Sequence, residues 1–450
     1  MMSRRKFNFI VLFIVGLAGS GNAQEVCAPL FLGTKTPYKA PGGSYTQPPA
    51  GYAPVFINYV GRHGARFLTK AGADLRVWEV LQAAEKSNSL TSKGKEVKAM
   101  TERLLAVEKD KYEQITLLGR EEQAAIGERM LYNYEGVFRG RGLEIVTTYK
   151  LRTQQSAEAF LRGLAKVPGT RRYEKAVDSL DAVLRFYDLS PAYQRYKKNA
   201  VLRQSLDSLK RDKRTKEVAD HICGGLFSTG PAGLDEVSFA ENLYDLYSVQ
   251  FSLPGEMQER GYAKDSIDLG IAFGRADLEW LDYESGAQDF LEKGPGFDPL
   301  GIQVKVAVPL LLDFINSADK VVRQPGGEAS LDAPDAILRF THAEAISPFA
   351  ALLGIPQASA PARSIYGYQA GWQAESVIPL SANIQWIFYS NGRDWLVKVL
   401  LNERESALPV GTKQYPYYRW EDLKRYYVKK LKSIHVGLQD DMHNYLKKLN

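Results

Sequence analysis

Residues 55–60, Val-Phe-Ile-Asn-Tyr-Val, form a short, almost wholly apolar run bounded by Pro54 and Gly61. Its β-branched and aromatic side chains predict a buried strand. Apolar positions then recur at helical spacing over about 70–86, 93–108 and 119–136, and a strand-like run at 143–148 leads into a helical pattern at about 153–166. Between about 171 and 298 strand signals nearly vanish. This stretch reads as a helical insertion, with Lys210, Arg211, Asp212, Lys213, Arg214 and Lys216 as a solvated helix face. A third strand at 336–341 follows the loop Gln324-Pro325-Gly326-Gly327 and precedes a helix at about 345–353. Two more strands, 384–389 and 395–400, flank Asn391-Gly392, a strong hairpin signal. Residues 28–54 hold six prolines and the pair Gly42-Gly43, which makes them an irregular lead-in. The expected organisation is a leader at 1–23, an α/β core from 24–170 and 299–450, and a helical insertion at 171–298.

Composition changes this picture only at its edges. With 45% hydrophobic and 24% charged residues among 450, the chain is globular, neither disordered nor collagen-like. Half of its net charge of +6 comes from Arg4, Arg5 and Lys6, so the rest is too weakly basic for a nucleic-acid protein. Those three residues, the apolar run from Phe7 to Leu17 and the small-residue end Gly21-Asn22-Ala23 read as a secretory signal cleaved after Ala23. A membrane span needs about 20 apolar residues, more than the leader has. The mature protein is therefore expected in the periplasm or outside the cell, away from the membrane. There Cys27 and Cys223 either pair or stay free. Five His and two Cys form no C-x-x-C or H-E-x-x-H, so neither a metal nor a cofactor is expected.

The candidate chemistry sits where three strand runs end. Residue 60 leads to Arg62-His63-Gly64-Ala65-Arg66, residue 148 leads to Arg152, and residue 341 leads to His342-Ala343-Glu344. Ligands of open α/β sheets bind beyond the carboxyl ends of the strands, so the three segments can converge although they lie far apart in sequence. Two histidines, three arginines and one carboxyl suit phosphoryl transfer without a metal. Guanidinium forks match the oxygens of a transferring phosphoryl group and stay charged. An imidazole nitrogen can carry the phosphoryl group covalently, and a carboxyl can protonate the leaving alkoxide. Gly64 beside His63 would let backbone and phosphate approach closely. His221, His435 and His443 lie in polar or charged stretches and are expected to be structural or solvated.

Arg62-His63-Gly64-Ala65-Arg66-Phe67-Leu68-Thr69 matches the R-H-G-x-R-x-x-T signature of the histidine acid phosphatases. His342-Ala343-Glu344 resembles the second signature of their multiple inositol polyphosphate phosphatase, or phytase, branch. Arg152, ahead of Ser156-Ala157, is similar to that family's third phosphate-binding arginine; Trp395 to Glu403 resembles its closing strand; Lys293-Gly294-Pro295-Gly296 echoes its Lys-Gly-x-Gly segment. The resemblance covers roughly 55–170 and 300–405. It implies a phosphoglycerate-mutase-like fold, in which a mixed central sheet carries helices on both faces and an inserted α-helical cap domain. It also implies His63 as a nucleophile that becomes phosphohistidine, Glu344 as proton donor, and Arg62, Arg66, Arg152 and His342 as holders of the phosphate. Thr69, Lys70 and Lys293 are further candidate substrate contacts. The implied substrates are phytate and lower inositol polyphosphates, with no cofactor. The commoner acid phosphatases of the family carry His-Asp where this chain has His-Ala-Glu, so attack at several ring positions is expected rather than their positional preference. Glu344 opens a helix whose dipole favours the carboxylate, and burial or substrate charge must offset that for it to act as an acid. Two other readings use the same residues: a broad acid or bisphosphoglycerate phosphatase, and a non-catalytic binding protein for anionic ligands, which would need neither His63 nor Glu344.

Overall fold

In a computed structural model, residues 31–165, 171–175, 181–322 and 333–449 are described. Eight strands form one sheet: β1 (Ala53–Arg62), β2 (Leu143–Thr147), β3 (Arg171–Lys175), β4 (Ala336–Thr341), β5 (Asn383–Ser390), β6 (Trp395–Leu401), β7 (Arg404–Glu405) and β8 (Tyr417–Arg419). Their order is β3-β2-β4-β1-β5-β6-β7, with β8 on β6. The longer helices are α1 (Ala73–Lys86), α2 (Ser92–Glu108), α3 (Leu117–Tyr134), α4 (Leu151–Gly163), α5 (Ala200–Lys210), α6 (Lys213–Leu226), α7 (Glu236–Gln250), α8 (Arg275–Glu292), α9 (Val308–Val322), α10 (Ala343–Leu353) and α11 (Trp420–Ser433).

The sheet is mixed, and its register decides where the chemistry falls. β1, β4, β2 and β3 run parallel, while β5 to β8 are antiparallel additions. Arg62 pairs with Thr341 and Thr147 with Phe340. The next residues of the three central strands, His63, His342 and Thr148, therefore leave the sheet side by side at its carboxyl edge.

Alternation along β1 divides the core. Ile57 and Tyr59 pack with Leu338 and Phe340 of β4 against Ile126, Met130, Ala157 and Phe160 of α3 and α4. Phe56 and Val60 face the opposite way, toward Phe314 of α9, Phe349 of α10 and the aromatic group Trp386, Trp420 and Tyr427. Trp386 is fully buried, with ring centroids 5.4 Å from Phe314 and 6.0 Å from Trp420. Truncating such a side chain costs roughly 3–5 kcal/mol. Asn58, buried in mid-strand on this face, donates to Ser317 Oγ at 2.9 Å and to the Phe314 carbonyl at 3.1 Å, and accepts from Arg339.

Two features differ from the sequence reading. The stretch from 171 opens with a strand, β3, because the backbone of 171–175 adds in parallel to the edge of β2; its five residues, Arg-Arg-Tyr-Glu-Lys, lack the apolar pattern of a central strand. The basic stretch at 210–216 is a junction between α5 and α6 rather than one helix face. Asp212 stands between the helices and caps α6, its carboxylate accepting from Arg214 N at 3.0 Å. The Asn391-Gly392 hairpin forms as expected, with Gly392 at φ 84° and Asn391 Oδ1 accepting from the amides of Arg393 and Asp394. The helical middle packs on the core helices, α7 against α1 and α6 against α2. Cys223 is a buried, free thiol in α6; Cys27 and the leader at 1–23 lie outside the described residues.

Candidate active site

His63 and His342 meet at the carboxyl edge of the sheet, their ring centroids 5.5 Å apart and both side chains buried. His63 Nδ1 lies 3.0 Å from the Gly64 carbonyl. A carbonyl only accepts, so Nδ1 carries the proton and Nε2 keeps its lone pair. Burial, then the neighbouring charges of Arg62, Arg152 and Arg66, hold the His63 imidazole well below its ordinary pKa, in the neutral form. His342 Nε2 lies 3.1 Å from Thr148 Oγ1 and 3.4 Å from Arg185 Nη1. A guanidinium only donates, which makes Nε2 the acceptor and puts the ring proton on Nδ1, a buried donor with no hydrogen-bond partner among the described residues. Burial and Arg152 keep His342 neutral as well.

The arginines surround these rings. Arg62 is buried, and its Nη1 donates to the carbonyls of Thr34 and Ile378, both at 2.6 Å, while its Nε has no partner. Arg66 is half-buried and anchored by Nη1 to the Phe67 carbonyl at 2.7 Å. Arg152, in the first turn of α4, leaves Nε and Nη1 without hydrogen bonds, although Nη1 lies 3.7 Å from Glu113. Burial lowers the pKa of Arg62 and Arg66 to about 10 each; Arg62 and Arg152 also press on Arg66. All remain cationic at neutral pH. Of these three crowded guanidiniums, Arg62 and Arg152 keep buried donors without partners, which is costly unless an anion accepts those bonds, the electrostatic signature of an oxyanion site.

The loop that carries His63 is braced from α3 and α4. Glu122 accepts from Ala65 N at 2.9 Å and from Ser381 Oγ at 2.7 Å, Gln123 donates to the Arg62 carbonyl at 2.9 Å, and Gly64 N donates to Ser156 Oγ at 3.0 Å. Gly64 also answers a demand inside the protein. A Cβ there would come within 2.5 Å of the Gly119 carbonyl, so the close approach is between two backbones, the loop and the start of α3.

Glu344 sits in the first turn of α10, as expected, and half-buried. Lys293, at the end of α8, reaches it: Nζ is 3.4 Å from Glu344 Oε1 and 2.6 Å from Asp289 Oδ1. Burial works to raise the Glu344 pKa, but Lys293 foremost, with Arg62, holds the carboxyl well below the usual range. Thr69 and Lys70 lie exposed on the loop before α1.

Sequence reasoning missed Arg185 and Asp289. Arg185 packs its guanidinium against Tyr149 and Tyr187, 4.9 and 5.2 Å from the ring centroids, pairs with Asp188 and touches His342. A charge inside the apolar run Ala182-Val183-Leu184-Arg185-Phe186-Tyr187 was the available signal. Asp289 had none, since one acid on an amphipathic helix is ordinary. Among the described residues no group of three or more His, Cys, Asp or Glu is arranged to hold a metal ion.

With this geometry in place, the likenesses to known proteins become informative. A curated relative, multiple inositol polyphosphate phosphatase 1 of Gallus gallus, is 22% identical over 460 residues, covering 96% of either chain. The structure of Bifidobacterium longum multiple inositol polyphosphate phosphatase with inositol hexasulfate aligns at a TM-score of 0.74 and 22% identity, over 91% of this chain and 99% of that one. The phytase from D. castellii aligns at 0.64 and 16%, over 92% and 90%. At these identities the two structures establish the fold, a mixed sheet with helices on both faces. The family model of the histidine phosphatase superfamily (branch 2) matches residues 55–402. That span starts in β1, ends in the turn after β6 and takes in every segment that lines the paired histidines: the chain belongs to branch 2 of the histidine phosphatase superfamily.

Proposed function

We propose that the protein is an exported phosphatase that removes phosphate from phytate and lower inositol polyphosphates, at several ring positions, through a phosphohistidine on His63. The observation that carries this reading is the neutral His63 with Nδ1–H tied to the Gly64 carbonyl, which leaves Nε2 as a nucleophile among guanidinium donors that have no partners of their own. Nε2 attacks phosphorus as the bond to the leaving oxygen breaks, and Glu344 gives that oxygen a proton. Water then attacks the phosphohistidine, Glu344 takes up a proton from it, and inorganic phosphate departs. Arg62, Arg66, Arg152 and the Nδ1–H of His342 hold the oxygens whose charge is spread in the transition state. The helical middle that follows β3, up to about 298, serves as the cap, lending Arg185 from near its start and Lys293 from near its end. Thr69 and Lys70, exposed on the loop before α1, meet phosphates that are not reacting. The names of the relatives and the inositol hexasulfate bound by the Bifidobacterium longum enzyme support the substrate class. Residues 1–23 act as the export signal; no helix among the described residues is long and apolar enough to cross a membrane.

The test is incubation with phytate and separation of the products by anion exchange. The expected result is a descending series of inositol phosphates with more than one isomer at the first step. Phosphate release from small esters without any attack on phytate would instead favour the broad phosphatase reading.

A further inference from the structure

The Lys293–Glu344 contact is at odds with the role proposed for Glu344. An acid must hold its proton until the leaving oxygen takes it, yet a lysine Nζ stands 3.4 Å from its Oε1. The lysine is itself secured by Asp289 at 2.6 Å, and both of those side chains are largely buried. The other groups facing the carboxyl come from the ends of β1 and β4, Arg62 and His342, from the loop after β1, Arg66, and from α4, Arg152, all cationic or neutral. Asp188, and the hydroxyls of Tyr187 and Tyr193, face it from residues 186–196 and contribute no positive charge. Among the described residues Lys293 is therefore the cation paired directly with the donor carboxyl, at 3.4 Å.

We propose that Lys293 is a positioning residue: it holds Glu344 as a carboxylate while the site is empty, and a polyanionic substrate draws it off, so that binding converts Glu344 into a proton donor. This rests on the phosphatase reading above. A phosphate next to the reacting one offers Lys293 more negative charge than a single carboxylate does, and the same phosphate adds negative potential at Glu344. Both effects favour the protonated acid. The proton comes from solvent on binding, passes to the leaving oxygen as the P–O bond breaks, and is regained from the attacking water. Esters with one phosphate supply only the reacting group and leave Lys293 in place. The arrangement thus selects for substrates with many phosphates through the chemistry as well as through binding.

Two measurements test this. The first is proton uptake on binding inositol hexasulfate, read by calorimetry in buffers of different ionisation enthalpy at weakly acid pH. The wild type should take up about one proton per site, and Lys293→Met and Glu344→Gln well under half of that. Equal uptake by wild type and Lys293→Met would overturn the inference, as would no uptake by the wild type. The second is the alkaline limb of kcat/KM on a single-phosphate alkyl ester, which follows the free enzyme's donor. Lys293→Met should move that limb up by roughly one pH unit or more, the size expected for losing one close opposite charge. Lys293→Arg should keep it where the wild type has it. Asp289→Asn should move it down, because the lysine then serves Glu344 alone. A loss of rate in Lys293→Met with the limb unmoved would mean a merely structural lysine and sink the inference. The phosphatase reading itself would survive that outcome, since it is tested separately by phosphate release from phytate.

Discussion

Single residues set the protonation states on which this site depends. His63 has to be neutral to attack, and burial among Arg62, Arg152 and Arg66 lowers its pKa well below the ordinary histidine range. The sign follows directly: the active, unprotonated form persists as pH falls and is lost only below that lowered pKa. The acid limb of kcat/KM should accordingly lie well under the value of a free imidazole, and a limb at about 6.5 would contradict the account of His63. Arg185 is the second residue with a definite consequence. It fixes His342 with its proton on Nδ1 and brings a cation beside Arg152. Arg185→Met should lower kcat/KM on phytate by roughly ten- to a hundredfold, the loss of a charge-assisted hydrogen bond, in steady-state kinetics; a change within about twofold would exclude it from the site. Arg62, His63, Arg66, Arg152, His342 and Glu344 were legible in the sequence because a motif and three strand ends carried them. Arg185 was not, because its role comes from His342, far along the chain; Asp289 was not, because an acid four residues before a lysine is an ordinary helix pair.

At the scale of elements, the parallel register of β1, β4 and β2 brings His63, His342 and Thr148 into line. Each of these strands was readable as an apolar β-branched run. What periodicity could not show was β3, an edge strand with the composition of a loop, or the close backbone contact between the His63 loop and α3. That contact is sensitive to one methyl group. A Cβ on Gly119 would come within 2.1 Å of the Ala65 carbonyl, with no flexible side chain to yield. Gly119→Ala should destabilise the protein by about 1–3 kcal/mol and, by pushing the loop away from α3, reduce turnover more than it raises KM. Denaturant unfolding together with kinetics on a small ester checks both halves. A variant with wild-type stability and turnover would show that the loop tolerates displacement.

For the whole molecule, catalysis is assigned to positive charge built into the chain. The guanidiniums of Arg62, Arg66 and Arg152 gather from β1, its following loop and α4, and on the proposed mechanism they hold the phosphate themselves. Excess EDTA should leave turnover of a small ester within about twofold of the untreated enzyme; inactivation reversed by a divalent ion would contradict this. The account as a whole turns on a covalent bond between phosphorus and His63. Rapid quenching during turnover of a labelled phosphomonoester should trap acid-labile, base-stable phosphate on the wild-type protein, mapping to the peptide that contains His63, and His63→Ala should trap none and lose several orders of magnitude in rate. Undiminished turnover by His63→Ala, or label on a different residue, would contradict it.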